Sequence, residues 1–303
     1  MKQMFLMLLL AGTLAAQSVN VVSIEKVNSE KPFYFPKFSP DGKSLLVTTE
    51  SYKGLYLLNL RNATVRKITD EFGAGYKARF DVSGKKIFYR SFKFREGKKY
   101  SSEILFDLVN GFRNVLESNE RNLTPPIKYL NGEVFYLKEG KRQVPEAMEK
   151  SSVEKKRAAF VRDRQIVFLD GESEKTLEPL GKGIYVWASL SPDGQKIAFT
   201  FGAKGSFVCD MEGNVLKTLG DLHYPRWSPD GKWIAGMNDK DDGYVYTSSD
   251  VVVVYYGNLK RFNITQSGDK IEMYPEWSPD GKKLAFHDLK GNVYVAKLIL
   301  TEE

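Results

Sequence analysis

Tyr274-Pro275-Glu276-Trp277-Ser278-Pro279-Asp280-Gly281-Lys282-Lys283-Leu284-Ala285-Phe286 decides the fold, because the chain writes versions of its central turn five times. The other copies centre on Phe38-Ser39-Pro40-Asp41-Gly42, Phe80-Asp81-Val82-Ser83-Gly84, Leu190-Ser191-Pro192-Asp193-Gly194 and Trp227-Ser228-Pro229-Asp230-Gly231. Pro presets φ for a turn, Asp bonds its own backbone, and Gly takes the positive φ that a Cβ would oppose. Each copy therefore reads as the tight connection between two antiparallel strands. Recurrence at a period of roughly 40–50 residues is the mark of a repeat architecture.

Working outward, a short alternating apolar segment follows each turn, at residues 44–48, 86–89, 196–200, 232–236 and 282–286. Further strand-like runs follow at 55–60, 104–108, 207–211, 251–256 and 293–298, with a fourth in most units. Alternation bounded by Gly, Pro, Asn and Asp reads as β-strand. The units are expected to be four-stranded antiparallel blades, and the chain an all-β propeller. The turn glycines Gly42, Gly84, Gly194, Gly231 and Gly281 leave one long gap between Gly84 and Gly194. A degenerate unit is expected to fill it. Its first strand would lie within 127–137, its others at 158–161, 165–169 and 174–177, with a charged insertion at 138–157 and a short helix at 146–150. That count gives six blades, or seven if residues 127–144 hold more than one strand plus decoration. Residues 19–27 are expected to supply the outer strand of the last blade, which removes an open sheet edge.

The first sixteen residues carry Lys2, an apolar core and Ala11 to Ala16, the pattern of a cleaved secretory signal. The mature chain, residues 17–303, is expected to be periplasmic or secreted, monomeric, and without a transmembrane segment after signal cleavage. Cys209 is the only cysteine, so no intrachain disulfide can form, and its apolar strand marks it as a small buried residue. The net charge is +7, with basic clusters at Lys93, Arg95, Lys98 and Lys99 and again around residues 155–164. Nucleic acid is a poor partner for an exported chain, so no nucleic-acid role is expected.

Residues 274–286, together with 224–235 and 35–47, resemble the WD40-like repeat of TolB-type β-propellers. The Ile68-Thr69 and Ile264-Thr265 pairs match the strand that precedes each new blade in that family. The resemblance covers nearly all of the mature chain and implies a six-bladed propeller. The family's namesake has an α/β domain ahead of its propeller, where this chain has some twenty residues. The family also includes propellers fused to hydrolase domains, but no Gly-x-Ser-x-Gly elbow occurs here.

The chain offers little chemistry. Its two histidines, His223 and His287, are too few for a multi-histidine metal centre, and neither has a neighbouring pattern that makes it a catalytic base. The acidic stretch 238–243 departs from a calcium-loop spacing and reads as a solvated loop. No catalytic residue, metal or cofactor is expected. Recognition is expected on the rim that carries the longer loops, since loops on a rigid scaffold are where binding residues concentrate. Phe92, Phe94, Arg95, Lys98, Lys99 and Tyr100 combine aromatics and charge in one such loop, a mixture enriched at interfaces. His223, Tyr224 and Tyr274, with Phe35 and Trp187, begin inner strands and should surround the channel mouth, unless they pack as repeat-consensus core. The leading expectation is a non-enzymatic envelope propeller that binds a protein partner through this rim. The competing class is a carbohydrate- or peptide-binding or processing propeller with its ligand in the channel.

Overall fold

A computed structural model describes residues 17–27, 31–145 and 156–301. Strand β1 (Ser18–Lys26) comes first in the chain but belongs to the last blade. Blade 1 holds β2 (Tyr34–Phe38), β3 (Ser44–Thr48), β4 (Leu55–Asn59) and β5 (Val65–Thr69). Blade 2 holds β6 (Arg79–Phe80), β7 (Lys86–Arg95), β8 (Lys98–Asp107) and β9 (Arg113–Glu120). Two three-stranded sheets follow: β10 (Ile127–Lys128), β11 (Val134–Lys138) and β12 (Lys141–Gln143), then β13 (Arg157–Arg162), β14 (Gln165–Asp170) and β15 (Ser173–Leu177). Blade 5 is β16 (Tyr185–Leu190), β17 (Ile197–Phe201), β18 (Ser206–Cys209) and β19 (Val215–Gly220). Blade 6 is β20 (His223–Trp227), β21 (Trp233–Asp241), β22 (Tyr246–Tyr255) and β23 (Arg261–Asn263). Blade 7 is β24 (Glu272–Trp277), β25 (Lys283–Asp288) and β26 (Val293–Thr301), completed by β1.

The propeller has seven blades, which corrects the expected six. Residues 127–143 are not one strand plus decoration. They fold into β10, β11 and β12, a sheet of their own. Val134 packs into the core shared with blade 2, while Phe135 and Leu137 pack against Ala158, Phe160, Val167 and Leu169 of blade 4. Among the described residues, blade 4 has no strand corresponding to the first strand of the other blades. Its β13 starts beside the turn of blade 5, where Arg157 donates to the Gly194 carbonyl at 3.3 Å. The degenerate unit therefore supplies the strands after the turn, but the turn ahead of it belongs to blade 3. The expected helix at 146–150 and the signal segment lie outside the described residues.

Seven apolar clusters fill the seven blade-to-blade interfaces, so the ring is closed. Val251 to Val254 show why such runs are continuous rather than alternating. Val251 and Val253 face blade 7 while Val252 and Val254 face blade 5. Closure by the N-terminal segment is as expected, with β1 antiparallel to β26 from Ser18↔Thr301 to Lys26↔Tyr294.

The repeated turns themselves form a ring on one rim. In four copies the serine hydroxyl donates to the turn aspartate at 2.5–2.6 Å, as Ser39 does to Asp41 and Ser278 to Asp280. Each turn glycine abuts its predecessor: a Cβ on Gly84 would lie 3.2 Å from Pro40, and one on Gly281 3.6 Å from Pro229. The Asn131-Gly132 turn of blade 3 joins this ring against Val82, and Gly194 of blade 5 meets Leu130 and Arg157. Among the described residues, six such turns serve seven blades.

Candidate functional site on the loop face and in the central channel

The inner strands carry a recurring defect. Phe35, Trp187, Tyr224 and Tyr274 all have φ between 52° and 56°, and the ladder slips a register at each of them. Lys77 holds the equivalent position in blade 2, with φ 55°. A bulky side chain in the left-handed region is uncommon, and bulges of this kind re-aim side chains. Here the bulge turns the aromatic away from the blade core and into the channel. None of the four belongs to an inter-blade cluster, and all four line the central cavity. The repeat-consensus packing explanation is thereby replaced by a channel-lining one.

The rings form a continuous arc. Trp187 lies 5.9 Å from Tyr224, Tyr224 4.9 Å from Tyr274, and Tyr274 4.7 Å from Phe35. Phe35 stacks on Tyr52 at 4.5 Å, and Tyr52 meets Tyr76 edge-on at 5.0 Å. Among the described residues, the arc does not continue over blades 3 and 4, where Pro126, Lys128, Ala159 and Val161 line the wall. His287, buried behind the arc, stacks on Tyr274 at 5.5 Å. Burial pushes its imidazole down to about 4, and its Nδ1–H donates to the Asp288 carbonyl at 2.9 Å. His223 faces the rim instead and pairs with Asp239 at 2.8 Å, which raises its proton affinity against the opposing effect of burial.

Two residues past the bulge, the strand period of two aims the next side chain into the channel as well. Those positions hold Lys37, Arg79, Ser189, Arg226 and Glu276, and Lys128 of β10 joins them. With Lys77 they place five cations and one carboxylate in a cavity of about 850 Å³. Arg226 stacks 3.7 Å over Tyr224 and sits 3.8 Å from Glu276. Lys37 donates to the Ala78 carbonyl at 3.2 Å. Burial drives Lys77 down to about 8, with Arg79 and Arg226 adding repulsion. Lys37 and Lys128 are depressed for the same reasons, burial first and Arg79 next. Lys128 is exposed and lines the channel.

The segment expected to be a loop at 92–100 is a β-hairpin instead. Strands β7 and β8 pair from Lys86↔Asp107 to Arg95↔Lys98, twice the length of the equivalent strands in blade 1. Glu96 and Gly97 close it with two positive φ values, the geometry that matches strand twist. This correction keeps Phe92, Phe94, Arg95, Lys98, Lys99 and Tyr100 together on one projecting element. Phe94 is 65% exposed, Phe92 packs against Phe72 and Phe94, and the Lys99 ammonium lies 4.2 Å over the Phe92 ring. Blade 6 repeats the device. Its β21 and β22 extend to Asp241↔Tyr246, and the turn carries Tyr244, 95% exposed, and Val245, 62% exposed. Asp242 caps that turn by accepting from the Tyr244 and Val245 amides. Both tips lie on the rim where the inner strands begin, the rim of the aromatic arc.

The sequence reading named His223, Tyr224, Tyr274 and the blade 2 hairpin residues; the structure places Tyr224 and Tyr274 on the channel wall, His223 beside Asp239, and the hairpin residues on one projecting element. The reading missed Tyr52, Tyr76, Tyr244 and the whole cationic set. The two-residue spacing from each bulge to the next channel-facing position would have found Lys37, Arg79 and Arg226.

No protein-family model matches the sequence, and no curated protein does. Among solved structures, the β-propeller domain of Cps50 (Swd1) from Myceliophteria thermophila is similar at TM-score 0.57 and 11% identity, covering 92% of this chain and 99% of that one. A putative TolB from Agrobacterium tumefaciens is similar at TM-score 0.54 and 18% identity, covering 95% and 100%. An oligogalacturonate lyase in complex with manganese is similar at TM-score 0.50 and 14% identity, covering 94% and 96%. At these identities the likeness concerns the fold, and it spans propellers of unrelated roles: the chain is a β-propeller with structural similarity to TolB-like propellers and to lyase propellers alike.

Proposed function

We propose that this chain is a non-enzymatic binding propeller of the cell envelope that holds a partner protein on its loop-bearing rim. The observation that carries the reading is the pair of elongated hairpins in blades 2 and 6. Both extend past their own blades on the same rim and end in exposed aromatic or apolar tips, Phe94 in one and Tyr244 with Val245 in the other. A rigid hairpin loses little conformational entropy on binding, and an aromatic on its tip supplies large contact area. Arg95, Lys98 and Lys99 beside Phe94 favour an acidic patch on the partner.

Site-specific photo-crosslinking in intact envelopes tests this. A photoreactive residue replacing Phe94, and separately one replacing Tyr244, should capture the same protein. One replacing Gln195, on the turn rim, should not. Arg95→Glu should weaken capture at Tyr244 by about tenfold, the effect of roughly 1.4 kcal/mol. Capture that is equal on both rims, or different proteins at the two tips, would overturn the reading.

A further inference from the structure

Among the described residues, the charge in the channel is not balanced. Lys37, Lys77, Arg79, Lys128 and Arg226 face one cavity, and Glu276 is the single carboxylate among its described lining residues. Among the described residues, Arg226 alone of the five comes within ion-pair distance of an acid, at 3.8 Å from Glu276. Arg79 Nε is fully enclosed and meets no protein acceptor. Some half-buried cations of the protein are paired with acids, whereas Arg90 of blade 2, like Arg79, keeps a buried Nε without an acceptor. Arg157, at the turn-side end of the same cavity, bonds Asp170 at 2.7 Å, and Lys138 bridges Glu117 and Glu120 at 2.8 and 2.9 Å. Repulsion inside the channel is mutual, since Arg79 depresses Lys37, Lys77 and Lys128 alike.

Gathering like charges in a confined space costs free energy, and Glu276 offsets only part of it. From this geometry we infer that the central channel is a binding site for a small oxyanion carrying two or more negative charges. Lys37, Lys77 and Arg79, on the adjacent inner strands of blades 1 and 2, form one wall of the site. Arg226 forms the other, held by its stack on Tyr224. Arginine and lysine make short charge-assisted bonds to phosphate and carboxylate oxygens, stronger than neutral ones. An enclosed cavity lined by one sign of charge also concentrates ligands of the other sign. The aromatic arc runs over blades 5, 6, 7, 1 and 2 on the loop rim of the site. This site is separate from the hairpin tips and does not depend on the partner reading.

The test is isothermal titration of the mature chain with pyrophosphate and with citrate, using acetate as the monovalent control, in dilute and in physiological salt. Pyrophosphate, citrate or both should bind at least tenfold tighter than acetate. Lys37→Met and Lys77→Met should each weaken that binding tenfold or more, whereas Arg95→Glu on the hairpin should leave it unchanged. A preference for pyrophosphate marks the natural ligand as a phosphate compound, and a preference for citrate marks it as a polycarboxylate. Should a methionine variant misfold, the unmutated chain still decides. Bound pyrophosphate or citrate should protect Lys77 from acylation, read by peptide mass spectrometry. Absence of binding at millimolar concentration, equal binding by the lysine variants, or an unprotected Lys77 would overturn the inference. Anion binding without cross-linking at the hairpin tips would remove only the partner reading.

Discussion

Trp277 shows how one residue of the repeat joins two blades. Its indole Nε1 donates to the Arg226 carbonyl of the preceding blade at 3.1 Å, and Trp227 does the same to Ser189 at 3.2 Å. Trp277→Phe keeps most of the apolar contact and removes the bond. The expected loss is about 0.5–1.5 kcal/mol, read by urea denaturation, against about 3–5 kcal/mol for Trp277→Ala. His287 makes a pH-dependent contribution of its own. Its native pKa of about 4 lies below the free value of 6.5, so the unfolded chain takes up a proton that the native chain refuses. Stability is therefore lost as pH falls from about 6.5 toward 4, by about 2 kcal/mol between pH 7 and 5. His287→Phe preserves the stack on Tyr274 and removes the proton site. The melting temperature of this variant should change less between pH 7 and 5 than that of the natural chain, and an equal change would refute the assignment.

At the scale of elements, the legibility of the sequence followed its turns. In blades 1, 5 and 7 the strands after the turn came out within a few residues, as with β3 at Ser44–Thr48 and β4 at Leu55–Asn59, whereas in blades 2 and 6 they run five or six residues further. Blades 3 and 4 were miscounted because their connections use other chemistry. Glu139-Gly140 and Asp163-Arg164 close hairpins with positive φ at both residues, yet three of the four are not glycine, so no turn signature shows. The hairpin at 92–100 was hidden differently: charged residues on a projecting strand look like a loop when no core face imposes alternation. The channel aromatics were legible by position, but their role was not, because a backbone bulge rather than residue type sends them inward. The β1 clasp was legible from alternation alone and makes its own prediction. Val19 and Val21 pack on the core between blades 6 and 7, and β1 covers the edge of β26. A chain that begins at Val27 should lose several kcal/mol and, with the β26 edge bare, self-associate. Size-exclusion chromatography beside a urea melt checks this, and an unchanged monomer of full stability would mean that the clasp is dispensable.

Over the whole molecule, closure of the ring and charge in the channel act against each other. Seven interfaces hold the inner strands close, and that closeness confines Lys37, Lys77, Arg79, Lys128 and Arg226 to one cavity. The unliganded fold should therefore be stabilised by anything that relieves the repulsion. Lys77 gives this a definite pH window. Its native pKa of about 8 lies below the ordinary 10.5, so between those values the unfolded chain binds more protons than the native one. Stability from this group consequently rises as pH climbs from about 8 to 10.5. Lys77→Met should raise the melting temperature at pH 7, where the penalty amounts to at most about 2–3 kcal/mol, and its advantage should fade above pH 10. Added sodium chloride should narrow the difference at pH 7, because salt screens the part that comes from neighbouring charges and leaves the part that comes from burial. A variant less stable than the natural chain at pH 7 would mean that Lys77 already has its counter-charge inside the protein, and the cavity would then have no surplus of positive charge.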